Sequence, residues 1–258
     1  MSTLVPHTAH LTGRSLRAFA RQPVFVVLTL VQPLIWLLLF GQLFRNIVQL
    51  PGFEAESYLD FLAPGVVIMT VLFSSGWSGM AFIEDIDRGV MDRMLSSPVS
   101  RGALMASSVV YNGFTTVIQS VVILAIALVA GARFPGGGLG VLVLLLAAVL
   151  LAAAFGSLSN GMALLVRTRE SLIGFSTTLT LPLSFLSSAM IATSVAPGWI
   201  QAVATWNPVD WAVVAGREAL SASPDWSAVG VRLAGLAAVA LLLTALATGA
   251  FRSYQRSV

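Results

Sequence analysis

The sequence predicts an all-α polytopic membrane protein with six transmembrane helices, and two observations carry that prediction. Hydrophobic residues make up 57% of the 258 residues and charged residues only 10%, with a mean hydropathy of +0.90. A soluble domain has closer to a quarter of its residues charged. The few charges are also clustered, so that six uncharged stretches of 19 to 39 residues lie between them. Each stretch can supply a helix that spans a bilayer, which needs about 20 apolar residues.

The whole chain, 1–258, is expected to form a single transmembrane domain. Its spans should be helices, because backbone groups in lipid must satisfy one another within the segment. The predicted spans are 24–44, 61–83, 104–130, 139–166, 172–195 and 228–251.

Residues 9–22, before the first span, form an amphipathic pattern with arginines on one helical face and Leu16 and Phe19 on the other. This pattern predicts a helix lying in the membrane interface. A simple positive flank to the first span is the alternative.

The distribution of arginine predicts the orientation. With the N-terminus in the cytoplasm, ten of the 14 basic residues fall on the cytoplasmic side, as the positive-inside rule requires. Six spans then return the C-terminus to the cytoplasm. We therefore expect a multi-pass protein of the inner (plasma) membrane with both termini cytoplasmic. The basic residues flank membrane spans, so they indicate orientation in the lipid bilayer and not nucleic-acid binding.

The segment 196–220 is too broken by proline to form a seventh span. Pro197 suits the first turn of one short helix, and Asn207 with Pro208 provides an N-cap and a first-turn proline for a second. A span across that pair would bury a helix break. We expect a re-entrant pair dipping into the outer leaflet, with Trp199 among the aromatic anchors.

The chain carries little that could support chemistry. It has no cysteine and no lysine, so a phosphate-binding P-loop is excluded. Neither catalytic residues nor a metal site is predicted. The predicted span interiors contain no ionisable residue, which argues against an ion-coupled carrier.

The charged segment 84–101 is the most informative. As a helix it would place Ile86, Val90 and Met94 on an apolar arc opposite a charged one, with a bend at Gly89. That apolar arc needs burial, and we expect a groove on a soluble partner to provide it. A solvated loop helix lying on the membrane is the alternative.

Three sequence features carry a family resemblance. The charged run Glu84–Gly89 and the run Leu95–Val99 follow the second span. LPLSFLSSAM at 181–190 precedes the PGW of 197–199, and Asn207-Pro208 precedes Arg217. In these features the chain resembles the permease subunits of type-2 ABC exporters, especially the daunorubicin-resistance-like drug exporters.

The resemblance implies a dimer with a second permease copy, either identical or similar. It also implies a separate cytoplasmic ABC ATPase subunit that would hold ATP and magnesium, with no cofactor and no enzymatic activity in this chain. The transported substrate would be apolar or amphiphilic, drug or lipid-like. Spans 1 and 5 are the candidate dimer interface.

The same resemblance assigns roles to two of the segments. Segment 84–101 would be the cytoplasmic coupling helix, and 196–220 the outer re-entrant hairpin, with Arg217 among its residues. The coupling residues would be Glu84, Asp85, Asp87, Arg88, Gly89, Asp92, Arg93, Pro98 and Arg101.

Weak polar stripes along three of the spans are candidates for a substrate path. Helix packing through small polar residues is the alternative, and the sequence favours it. The candidate path residues are Thr70, Ser74, Ser78, Asn112, Thr116, Gln119, Ser176, Thr180 and Ser184. Gly156 and Asn160 in the fourth span are expected to serve packing.

The sequence leaves other functions open. The chain could export a polysaccharide or a lipid-linked glycan, act as a carrier or channel without ATP, or serve as a membrane anchor for a cytoplasmic partner.

Overall fold

A computed structural model describes residues 4–21, 23–46, 57–91, 93, 101–193 and 196–255. All the regular structure in these ranges is helical, which confirms the all-α class. The helices are α1 (Leu4–Ala20), α2 (Pro23–Leu43), α3 (Tyr58–Gly76), α4 (Met80–Asp87), α5 (Arg101–Val129), α6 (Gly137–Val166), α7 (Arg169–Phe185), α8 (Gly198–Ala204), α9 (Pro208–Leu220) and α10 (Trp226–Gln255).

Four helical segments of the described residues are long and apolar enough to cross a membrane. They are Tyr58–Asp87, Gly102–Val129, Gly137–Val166 and Trp226–Ala250, and they coincide with predicted spans 2, 3, 4 and 6. The predicted spans 1 and 5 correspond to the shorter helices α2, of 21 residues, and α7, of 17. At 1.5 Å per residue α7 extends about 26 Å, slightly less than a hydrocarbon core.

Helix α6 lies at the centre of the fold and packs against α3, α5, α9 and α10. It is apolar on all faces, as expected of a helix surrounded by others. Small residues bring its neighbours close: a Cβ added at Gly140 would lie 2.3 Å from the carbonyl oxygen of Ala219. Such close approach is the usual way in which helices associate in a membrane.

The second span and the charged segment do not divide where the sequence predicted. Helix α3 ends at Gly76, a turn follows, and α4 carries the chain on to Asp87. Gly89 then adopts φ +65°, a conformation that a residue without a Cβ adopts readily. The chain is helical again at Val90, Met91 and Arg93, so the helical path is interrupted at Gly89, where the sequence predicted a bend.

The fifth span also ends earlier than its predicted limit of 195. Helix α7 stops at Phe185, and a series of turns follows. The physical reason lies in another helix. The Asn207 side-chain amide donates hydrogen bonds to the carbonyl oxygens of Leu183 and Leu186 at the end of α7. These carbonyls therefore have partners without a further turn of helix.

Two short helices occupy the 196–220 segment, as predicted, although α8 has only seven residues. Asn207 is the N-cap of α9, its side chain accepts from the Val209 amide, and Pro208 occupies the first turn. Pro197 is the N-cap residue of α8.

Helix α1 begins before the predicted position 9 and packs along α5, where the Phe19 ring meets Tyr111 edge-on at 6.2 Å.

Candidate functional site

The break between α3 and α4 is held by side chains of two other helices. The Gly76 carbonyl accepts hydrogen bonds from the hydroxyls of Ser159 and Ser176, each at 2.6 Å. The Gly79 amide donates to Ser159 Oγ at 3.0 Å. A Cβ on Gly79 would lie 2.4 Å from the Ser159 carbonyl oxygen, so glycine is required for this approach. Helices α6 and α7 thus satisfy main-chain groups that the break leaves unpaired.

A second set of hydrogen bonds joins the same break to α5 and α6. Asn112 Nδ2 donates to Ser78 Oγ at 2.7 Å, and Ser78 Oγ donates to Asn160 Oδ1 at 3.0 Å. Asn160 Nδ2 donates to Ser108 Oγ at 2.7 Å. Asn160 is fully buried, and sequence analysis missed its central position. The available signal was an amide within an apolar span, because a buried amide requires partners.

The predicted path residues fall into two groups. Six of them line connected cavities between α1, α2, α3, α4 and α5: Thr70, Ser74, Ser78, Asn112, Thr116 and Gln119. The other three lie on the face of α7 that packs on α3. Of these, Ser176 bonds Gly76, while Thr180 and Ser184 donate to carbonyls of their own helix. The structure thus brings six of the nine residues together and separates three.

The larger cavity has a volume of about 520 Å³ and reaches from Arg14 and Asp85 to Gln119. A smaller one of about 230 Å³ adjoins it and extends towards Trp36. Ser74 and Trp77 are among the residues that line both. Their combined size is in the range of pockets that hold small organic molecules.

The charged residues of α4 pair within the chain. Arg14 of α1 approaches Asp85 at 3.3 Å, and Arg169 at the start of α7 approaches Asp87 at 3.4 Å. Glu84 and Arg88, four residues apart on the chain, approach each other at 3.9 Å on exposed side chains. Two of the predicted coupling residues therefore tie α4 to neighbouring helices.

For the other predicted coupling residues the structure describes fewer contacts. Arg93 Nε donates to the Gly89 carbonyl at 3.2 Å. Asp92 and Pro98 lie outside the described residues, and of Arg101 only the backbone is described. Among the described residues no group of three or more His, Cys, Asp or Glu could hold a metal ion.

The apolar arc of the charged segment is partly covered by this chain itself. Met91 is fully buried, and Ile86 packs against the apolar cluster that contains it and residues of α4, α5, α6, α7 and α10. Ile86 and Val90 themselves are only partly buried. This chain therefore supplies part of the burial, and a partner for the rest of the arc stays a prediction. Met94 lies outside the described residues.

The opposite end of the bundle, which contains α8 and α9, is organised around Arg217. Its guanidinium donates to the Phe61 carbonyl at 3.1 Å and to the Ser188 carbonyl at 3.0 Å. It also lies 3.6 Å from the centre of the Phe61 ring, a cation–π contact. Asp210 Oδ1 accepts from the Ser188 amide at 2.7 Å. Arg217 thus joins α9 to the start of α3 and to the turn after α7.

Arg217 remains a cation at neutral pH. Desolvation lowers the pKa of its guanidinium to about 10, and the nearby Asp210 opposes this change. Two tryptophans of this end are strongly exposed, Trp199 at 63% and Trp206 at 82%. The sequence identified Arg217 only by resemblance, since its partners are distant in the chain.

Sequence similarity assigns this helical chain to a known family of proteins. Residues 7–220 match the ABC-2 type transporter family. The chain therefore belongs to the ABC-2 type transporter permeases, a family of multi-pass membrane proteins that serve ABC transport and are not themselves enzymes.

Individual relatives fit this assignment. The chain is 30% identical over 246 residues to the daunorubicin resistance ABC transporter permease protein DrrB1 of Streptomyces coeruleorubidus, covering 94% of this chain and 86% of that protein. It is 29% identical to ycf38, named as a candidate transport permease, of Pyropia yezoensis, covering 80% and 71%. It is 22% identical to the "Probable doxorubicin resistance ABC transporter permease protein DrrC" of Mycobacterium tuberculosis, covering 83% and 76%.

Proposed function

We propose that this chain is the membrane-spanning subunit of an ATP-driven exporter that moves an apolar or amphiphilic substrate out of the cytoplasm. The observation that carries the proposal is the family match over residues 7–220. Two of the relatives described above carry names that connect them with resistance to daunorubicin or doxorubicin. ATP hydrolysis is assigned to a separate cytoplasmic ATPase subunit, which would hold ATP and magnesium.

The proposed topology keeps six spans in the inner membrane with both termini in the cytoplasm. Four apolar helical segments support it, and α2 and α7 would be the remaining spans. Helices α8 and α9 would dip into the outer leaflet as a re-entrant hairpin. Reporter fusions at Glu54 and at the C-terminus should report opposite sides of the membrane, and agreement between them would refute six spans.

A second permease copy, identical or similar, is proposed to pack against α2 and α7. Both helices present large apolar side chains that this chain leaves uncovered, including Leu28 at 63% and Phe185 at 67% exposed. Native mass spectrometry of the transport-competent protein should show two permease copies. A monomer that transports would contradict this arrangement.

Segment 84–101 is proposed to transmit the state of the ATPase to the spans. Support comes from α4, which follows α3 after a short turn and contains the start of the charged run. The pairs that join α4 to α1 and α7 add to it. A displacement of this segment would act on three helices at once.

The experiment that tests the function uses the permease together with its ATPase. An ABC ATPase that copurifies with the permease would be co-expressed with it, and the purified complex reconstituted into proteoliposomes. Transport should depend on ATP hydrolysis across a panel of amphiphiles, glycans and lipid-linked glycans. The matched control carries an ATPase that binds but does not hydrolyse ATP. Transport by the permease alone would support the carrier alternative and overturn the proposal.

A further inference from the structure

We propose that the connected cavities between α1, α2, α3, α4 and α5 form a binding chamber for a ring-containing amphiphile with N–H or O–H donors, located within one permease copy. This inference rests on the proposed function, since it assigns a place to the exporter's substrate. We call this space the α1–α5 chamber; it is defined by the two cavities of about 520 and 230 Å³ that share Ser74 and Trp77.

The polar side chains within a mostly apolar lining are the first argument. Ser78 and Asn112 border it while taking part in hydrogen bonds to other helices. Thr116 and Gln119 add polar groups deeper along α5. A gap that served only to hold lipid chains would be lined by apolar groups, because an unpaired polar group in hydrocarbon costs several kcal/mol.

Gln119 provides the second and more specific argument. The residue is 6% exposed and lines both parts of the chamber. Its Oε1 atom has no hydrogen-bond partner among the described residues. A buried acceptor without a partner is destabilising and uncommon in folded proteins. Because the residue lines the chamber, a rotation of its terminal amide would present this oxygen to a ligand that carries a hydrogen-bond donor.

Aromatic side chains provide the third argument. Phe19 and Tyr111 border the larger part of the chamber, Trp36 and Phe73 border the smaller part, and Trp77 lies between them. Aromatic walls with a few hydrogen-bonding groups are typical of pockets for small organic molecules. Ring systems pack well against such side chains, so the lining favours a ring-containing ligand over a flexible acyl chain.

Charged residues at one boundary of the chamber indicate the side from which a ligand would enter. Arg14 and Asp85 border the larger cavity and pair with each other at 3.3 Å, so the boundary carries both signs and no net charge. By the proposed topology this end faces the cytoplasm. An amphiphile in the inner leaflet would enter past this pair and place its ring system towards Trp77.

The test measures binding to the permease alone, in phosphatidylcholine nanodiscs without an ATPase. The probe is rhodamine 6G, a planar ring system with N–H donors, and its fluorescence anisotropy is measured against empty nanodiscs to subtract partition into lipid. We expect saturable binding. Ser74→Trp, which places a large side chain in both parts of the chamber, should weaken it at least tenfold. The matched control Ala238→Trp, on the exposed face of α10, should bind as the wild type does.

Gln119→Leu is the second variant. It removes the acceptor and should weaken rhodamine 6G binding about tenfold, the effect of one hydrogen bond. Its thermal midpoint should not fall, because the variant also removes an unpaired buried group. Unchanged affinity in both Ser74→Trp and Gln119→Leu would overturn the proposal, as would binding no greater than that of empty nanodiscs.

The two proposals can fail separately. Binding that follows the predicted variants, together with no ATP-driven export by the full complex, would count against the exporter function alone. Export of rhodamine 6G that is insensitive to Ser74→Trp would count against the chamber alone.

Discussion

The two ends of the helical bundle are held together in different ways. At the end that contains α8 and α9, which we call the hairpin end, Arg217, Asn207 and Asp210 bind main-chain groups of other elements at 2.7 to 3.1 Å. At the opposite end, which we call the α4 end, Asp85 and Asp87 pair with arginines at 3.3 and 3.4 Å, and three of the four side chains are at least half exposed while Asp85 is 22% exposed.

This difference has an energetic consequence. Hydrogen bonds from charged groups to partly buried carbonyls contribute about 1.5–3 kcal/mol, whereas exposed ion pairs contribute about 0–1 kcal/mol. The hairpin end should therefore keep its geometry while the α4 end exchanges partners at little cost. Such an arrangement suits an exporter in which an ATPase acts on one end only.

The largest expected effect comes from Arg217→Met. The variant keeps a long side chain but loses the bonds to Phe61 and Ser188. We expect the free energy of unfolding to fall by about 2–3 kcal/mol. Thermal unfolding in detergent micelles measures this change.

The matched control is Arg232→Met, because within the part of the chain that the structure describes Arg232 bonds only the Ala228 carbonyl of its own helix. Its effect should stay within about 0.5 kcal/mol. Equal effects of the two variants would remove the distinction we draw for Arg217.

A smaller effect is expected at Asn207. Asn207→Ala loses the helix cap and both bonds to the end of α7, which should cost about 1–2 kcal/mol. Asn207→Asp keeps the capping acceptor but cannot donate to the two carbonyls. If Asn207→Asp proved as stable as the wild type, the link between α7 and α9 would have no energetic importance.

The smallest effect on stability is expected at the α4 end. Glu84→Ala and Arg88→Ala each break an exposed pair of 3.9 Å. The free energy of unfolding should change by less than about 0.5 kcal/mol. Both variants should insert as the wild type does, since neither residue lies within the predicted spans. A loss of more than about 1 kcal/mol in either variant would contradict the comparison between the two ends.

Sequence reasoning succeeded where the determinant is local. Hydropathy over about 20 residues located the four apolar segments now seen in the structure, and the pair Asn207-Pro208 marked the start of α9. It failed where the partner is distant in the chain. The sequence favoured helix packing over a substrate path for Ser176, but it could not identify Gly76 on another helix as the partner of its hydroxyl.

Arg217 shows the same limit at the hairpin end. Its hydrogen-bond partner Phe61 is 156 residues away in the chain, and no local pattern specifies that contact. The rotation of each helix about its axis decides which polar face meets a cavity and which meets a neighbour. Small polar residues leave this rotation open, since they fit either environment.

The central claim is that the α4 end couples ATP hydrolysis to transport while the hairpin end stays fixed. Substrate-stimulated ATP hydrolysis by the reconstituted permease–ATPase complex tests it most directly, with Glu84→Ala and Arg88→Ala compared with the wild type. We predict that both variants assemble and keep basal hydrolysis but lose most of the stimulation and the export. Wild-type stimulation and wild-type export in both variants would contradict the claim.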